Sequence, residues 1–353
     1  MLPFLLLSLA LSAPRVVSSP VQDGYGTADA VFNGSAVTGW SYASNVYTAT
    51  TTAPIAYDDV TISTGYTVDP AGLPLQIRNL TMNGTASIAR VTPAASGTVA
   101  GAVAAVVSGA ILGNGSTGRA GVANGTNGNA GIAVSARGLG GVGGAGGDTN
   151  TSPDRTGGAG GTVDSVLGTD GGAYALFTYP WQFIGDIPGK GGSGGGSGGA
   201  GAGSGTITSA GSGAGAGVIV VTVSGVLNAP DTATISAIGG VPGTYSDSAV
   251  GGSCGGAGGG GGGAIFLLAK TITGGGPTID VSGGAGSAAF WEVTSTATPD
   301  GGAGGNGGSI VVRYYSGTSP VSDVTGGSGG AGANGGASGS TGTSGTSSIL
   351  LLQ

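Results

Sequence analysis

Glycine constrains this chain more than any other feature. It comes in Gly-Gly-X tracts such as Gly191-Gly-Ser-Gly-Gly-Gly-Ser-Gly-Gly-Ala-Gly-Ala-Gly203 and Gly301-Gly-Ala-Gly-Gly-Asn-Gly-Gly308. A segment so poor in side chains has little apolar surface to bury, and glycine loses more backbone freedom on ordering than any other residue. Two fates are open to such tracts. They are flexible linkers of the Gly/Ser type, or they are extended three-residue-per-turn helices of the polyproline II kind, packed side by side where missing side chains let backbones approach and hydrogen-bond. Collagen is excluded, because the triplets carry Ala, Ser, Val or Asn at X and no sustained Gly-X-Y period rich in proline exists. Leu139, Val142, Ala145 and Asp148 fall three apart, so the packed arrangement puts their side chains in one row along one edge.

Used as punctuation, the tracts expose a repeat. Gly217-Val-Ile-Val-Val-Thr-Val-Ser-Gly225 is followed by Thr234-Ile-Ser-Ala-Ile-Gly-Gly240 and a glycine-rich excursion. Ala264–Gly274 is followed in the same way by Thr278–Gly284, Ser309–Gly317 by Val321–Gly327, and Ser348–Gln353 opens a further copy. Leu75–Asn83 with Ala86–Val91 is a diverged earlier copy, and the period runs from 39 to 47 residues. Each unit reads as strand, tight turn, strand and long excursion. Two strands cannot bury an apolar face alone, so successive units must stack. The tracts recur at one place in the unit, which favours packing over flexibility. The expected class is all-β with helices nearly absent: a repeat-built parallel β-solenoid or β-sandwich, its Gly-Gly-X tracts packed as polyglycine II-type helices.

Composition divides the chain. Residues 1–19 have the apolar core and small-residue exit of a secretion signal, the competing reading being a buried or donated strand. Residues 20–97 carry most of the early aromatics and form an N-terminal β domain, in which Asp58-Asp59 is expected at a strand start. Residues 98–325 form the glycine-rich repeat domain, 326–347 read as a Gly/Ser/Thr linker, and 348–353 end the sequence as an apolar strand. That strand, Ile349, Leu350, Leu351 and Leu352, either closes its own stack or is donated to the next subunit's open edge, giving head-to-tail, non-closing contacts.

Asp59-Val-Thr-Ile-Ser63, Asn79-Leu-Thr-Met-Asn-Gly-Thr85 and the run from Gly260 through Ala264-Ile-Phe-Leu-Leu-Ala-Lys-Thr-Ile-Thr273, together with the tracts, give residues 57–317 a resemblance. The chain resembles glycine-rich, β-rich fibre and receptor-binding proteins of viruses and phage tail-fibre tips. The resemblance implies either a fibre subunit or an adhesin. The apparent secretion signal departs from phage fibres and looks more like a cellular or eukaryotic-virus surface fibre.

The residue inventory argues against most chemistry. Histidine is absent, Glu292 is the one glutamate and Cys254 the one cysteine. The usual triads, Cys/His dyads and His-based metal sites therefore cannot be assembled, and no enzyme, metal or cofactor is expected. A lone cysteine supports no internal disulfide and reads as a small residue in a loop. Gly-X-Gly-X-X-Gly strings abound, but a phosphate cradle needs a following helix, and none is expected. Calcium repeats need regularly placed aspartates, and these are scattered. The net charge of −7, from 15 Asp and one Glu against seven Arg and two Lys, leaves no basic stripe for nucleic acid. The N-terminal apolar run is too short to span a bilayer, which needs about 20 apolar residues, and no transmembrane segment is expected.

What remains is surface and self-association. Asn-X-Ser/Thr acceptors stand at Asn33, Asn79, Asn83, Asn114, Asn124 and Asn150. Glycans there would hydrate a chain whose charged residues are only 7%. Tyr174, Tyr179, Trp181, Phe183 and Trp291 lie on excursions and are candidate contacts for a surface glycan or receptor, or else fill an end of the stack or a subunit interface. The expected role is a secreted, extracellular or particle-surface fibre subunit polymerising with itself, the alternative being a receptor- or glycan-binding adhesin.

Overall fold

The computed structural model describes residues 28–51, 55–71, 73, 75–89, 122, 127–131, 141–149, 156–159, 195, 198, 207–247, 252–293 and 295–352. No helix occurs among them. The strands are β1 (Ala30–Phe32), β2 (Trp40–Ala43), β3 (Val46–Ala49), β4 (Ile55–Ile62), β5 (Thr67–Asp69), β6 (Leu75–Met82) and β7 (Ser87–Ala89). There follow β8 (Ile207–Thr208), β9 (Val218–Asn228), β10 (Thr234–Ser236), β11 (Ser246–Asp247), β12 (Ser253–Cys254) and β13 (Ala264–Thr273). The last are β14 (Thr278–Asp280), β15 (Phe290–Trp291), β16 (Ser309–Gly317), β17 (Val321–Asp323) and β18 (Thr346–Leu351).

Successive strands are dealt between two seven-stranded sheets. The first runs β1-β4-β6-β9-β13-β16-β18 with every neighbour parallel. The second runs β17-β14-β10-β7-β5-β3-β2 and is parallel except for the terminal β2–β3 hairpin. Two further antiparallel pairs, β8 with β11 and β12 with β15, complete the described strands. Each unit therefore places one strand in each sheet and lays like strand beside like strand. One apolar core lies between the sheets. Ile219, Val221 and Leu227 of β9, Ile265, Leu267 and Ile272 of β13, and Ile310 and Val312 of β16 join Ile88, Ile235 and Ile279 of the second sheet. Alternating side chains make this possible, because a period of two sends every second residue inward.

Tight turns link the two strands of a unit, which lie in different sheets. The Tyr66 amide donates to the Ser63 carbonyl at 3.2 Å and the Ala86 amide to the Asn83 carbonyl at 2.9 Å. Gly65 sits at φ 80°, where side chains are disfavoured. The β2–β3 hairpin turns on Ser44 and Asn45 at φ 49° and 64°, the double left-handed geometry of a two-residue hairpin. It ends the stack with an aromatic cluster, Phe32 packing edge-on against Trp40 and Tyr47 at centroid distances of 5.0 and 4.9 Å.

Several expectations are corrected. The repeat is shorter in the first half, where the Thr67 and Ser87 hydroxyls meet across 20 residues. It is 45 residues where Thr271 meets Ser316, and 37 where Thr346 meets Ser309. The short period escapes a reading punctuated by glycine because those units carry no glycine excursion. The boundary placed after residue 97 interrupts neither sheet: Leu75 of β6 stands opposite Val221 of β9, inside one continuous core. Asp58-Asp59 lies within β4 rather than at a strand start, where Arg78 of β6 pairs with both carboxylates.

The glycine tracts pack against one another beside the sheets. The Gly256, Gly259 and Gly262 amides donate to the Asp300, Ala303 and Asn306 carbonyls at 2.9, 3.0 and 2.9 Å. The Gly141, Gly144 and Gly147 amides donate in turn to the Gly262, Gly259 and Gly256 carbonyls at 2.7, 2.8 and 2.7 Å. These bonds step by three residues, where a β ladder steps by two. Residues 213–216, 237–240 and 284–287 bond to the same central tract from further sides. Its glycines are required by contact: a Cβ on Gly258 would lie 2.0 Å from the Gly144 carbonyl oxygen, one on Gly259 1.9 Å from that of Gly284, and one on Gly260 1.9 Å from that of Ala214. Val142, Ala145 and Asp148 do form a half-buried to exposed row; Leu139 lies outside the described residues.

The segment expected as a flexible linker, 326–347, belongs to this array. The Gly339, Gly342 and Gly345 amides donate to the Gly330, Gly327 and Val324 carbonyls at 2.9, 2.9 and 2.7 Å. Its Gly/Ser/Thr composition suits a linker, but its glycines recur every third residue, which is what neighbouring backbones require.

Candidate functional site

One group of candidate residues lies at the edge of the sheets formed by β18 and β17. β18 pairs in parallel with β16, Val312 standing opposite Ile349 and Tyr314 opposite Leu351. The apolar strand Ile349–Leu352 thus pairs within its own chain, and the Leu352 amide continues the ladder to the Tyr314 carbonyl. Ile349 packs against the core. Leu350 and Leu351 remain 49% exposed and Val321 of β17 58% exposed, because β18 and β17 are the outermost strands of their sheets.

Arg313 reinforces this end. It lies between Leu268 and Leu350 on the neighbouring strands and is buried. Its Nη1 donates to the Val312 carbonyl, to the Ser348 carbonyl at 2.9 Å and to Ser348 Oγ at 3.2 Å. Burial lowers its pKa from the ordinary guanidinium value, which still leaves it charged at neutral pH. The cation therefore fastens β18 to β16 from one face.

The aromatic candidate that can be described, Trp291, is half-buried in β15, and its indole Nε1 donates to the Ser295 carbonyl at 2.7 Å. Next to it Phe290 stacks on Tyr245 with centroids 4.2 Å apart, and Val293 at the tip is 81% exposed. Tyr174, Tyr179, Trp181 and Phe183 lie outside the described residues, as do residues 1–19. Sequence reasoning passed over the exposed ring of Tyr42 in the hairpin, which lies 4.6 Å from Tyr47 and 6.3 Å from Tyr66. Desolvation and the neighbouring Tyr66 raise its pKa. The cue was the Tyr42-Ala-Ser-Asn-Val-Tyr47 pattern, aromatic residues flanking a turn pair.

Of the glycan acceptors, Asn33 and Asn83 are exposed in turns and Asn79 lies half-buried inside β6. Asn114, Asn124 and Asn150 lie outside the described residues. Among the described residues no group of three potential metal ligands occurs, and no helix is long and apolar enough to cross a membrane. Cys254 is buried.

No family model, no curated protein and no solved structure matches this chain.

Proposed function

We propose that the chain is a structural subunit of an extracellular or particle-surface fibre, built as a repeat stack of solenoid type with polyglycine II-type packing alongside. Subunits add to one another through sheet edges, and nothing is catalysed. The observation that carries this reading is the edge strand β18, Thr-Ser-Ser-Ile-Leu-Leu, which has no charged side chain over six residues. Edge strands ordinarily carry charges, prolines or bulges that discourage further pairing. Beside it Leu351 continues the inward-facing row of Ile349 yet stays half exposed, an apolar strip suited to a second copy of this chain. A heterologous contact of this kind propagates rather than closes.

The deciding experiment is negative-stain imaging and sedimentation of the purified protein and of Leu351→Lys. The expected outcome is filaments from the parent and discrete monomers of unchanged unfolding midpoint from the variant. Monomers from the parent at high concentration would overturn the reading. A second reading, recognition of a surface glycan or receptor, draws on the stacked Tyr245–Phe290 pair and the exposed tip at Val293. Trp291→Ala losing binding on a glycan array while filaments persist would favour it.

A further inference from the structure

The Asn-X-Ser/Thr acceptors that sequence treats as equivalent are not equivalent in the fold. Asn79 sits in the middle of β6 between two parallel neighbours. Its Nδ2 donates to Asp59 Oδ1 at 2.8 Å on one side, and its Oδ1 accepts from the Val226 amide at 3.1 Å on the other. A Cβ on Gly225 would lie 2.3 Å from that Oδ1, so the carboxamide is seated against the adjoining backbone. Asn33 and Asn83 stand instead just past the ends of β1 and β6. Those ends align through β4, Phe32 opposite Ile62 and Ile62 opposite Met82. Two strand spacings separate the two asparagines, about 10 Å along one edge of the molecule.

Both residues are exposed. Asn33 Oδ1 accepts from the Ser35 amide at 3.1 Å, within its own Asn-Gly-Ser sequon. The buried Tyr47 hydroxyl holds that turn, accepting from the Gly34 amide and donating to the Ser35 carbonyl, each at 2.7 Å. Asn83 opens the turn closed by Ala86, and its side chain has no hydrogen bond among the described residues.

We infer that Asn33 and Asn83 carry N-linked oligosaccharide and that Asn79 does not. The donor is a polyprenyl-diphosphate-linked oligosaccharide. Asparagine Nδ2 forms the bond to the anomeric carbon, the bond from that carbon to the diphosphate oxygen breaks, and one Nδ2 proton is lost to the transferase base as the diphosphate leaves. The two glycans line one turn edge of the N-terminal half and leave the uncharged β18 edge clear. The inference rests on the extracellular reading above, but its readout needs no assembly.

The test is the full chain expressed in a glycosylating secretory cell, behind its own N-terminus and, in parallel, behind a heterologous secretion leader. Secreted protein is digested with peptide N-glycosidase in H2 18O and mapped by mass spectrometry. Labelled aspartate is expected at positions 33 and 83 and unmodified asparagine at 79. Ser35→Ala and Thr85→Ala, which keep each asparagine and remove only its acceptor hydroxyl, each abolish one glycan step on a gel. Glycan on Asn79 of folded protein, or bare Asn33 and Asn83 with either leader, overturns the inference. Filaments formed from bare protein would overturn it while leaving the fibre reading standing; glycosylated monomers would do the reverse.

Discussion

A single hydrogen atom decides the behaviour of the most crowded residues. A Cβ at Gly260 would lie 1.9 Å from the Ala214 carbonyl oxygen, a backbone atom that cannot swing aside. Gly260→Ala is therefore expected to cost about 3 kcal/mol, the upper range of overpacking penalties. Gly335 is the contrasting case, at φ 85° with nothing within 4 Å. Gly335→Asn should cost under about 1 kcal/mol, since asparagine tolerates the left-handed region. Urea denaturation of both variants checks the difference, and equal losses would contradict backbone contact as the reason for glycine. Tyr47→Phe leaves the Gly34 amide and the Ser35 carbonyl without their shared hydroxyl, which predicts a loss of about 1–2 kcal/mol in the same measurement.

At the scale of elements, the sheet strands were legible and the array was legible only in part. Val218–Asn228, Ala264–Thr273 and Ser309–Gly317 announce themselves as β-branched or aliphatic runs between glycines. β18 was legible as an apolar strand, but its docking beside β16 depends on a partner 37 residues away. Residues 326–347 mislead because Gly/Ser/Thr composition is common to a linker and to a packed tract. Amide exchange measures the distinction. Gly327, Gly330, Gly339 and Gly342, all bonded within the array, are expected to exchange at rates comparable with the β16 amides. Exchange at free-peptide rates would return the segment to the linker class.

On the whole-molecule scale, like strands in register suggest that stability is a sum of units and of contacts between neighbouring units. Excising residues 264–308 removes one 45-residue period and brings β16 beside β9 and β17 beside β10. The shortened chain should retain a β-type circular dichroism spectrum and a cooperative unfolding transition at a lower midpoint. Loss of any cooperative transition would show that this unit is indispensable.

The sequence by itself determined that the described part of this protein is all-β and that its tract glycines fall every third residue, because alternation and spacing are local properties of the chain. Tertiary structure alone decided that the central tract meets neighbours on all its sides, since whether a missing side chain leaves space or contact depends on residues far away. It also brought Leu75 opposite Val221 across a long intervening segment. The same dependence separates Asn79, seated between Asp59 and Val226, from Asn83, exposed four residues later. Their sequons are alike in sequence, and only the neighbouring strands make one of them a structural amide.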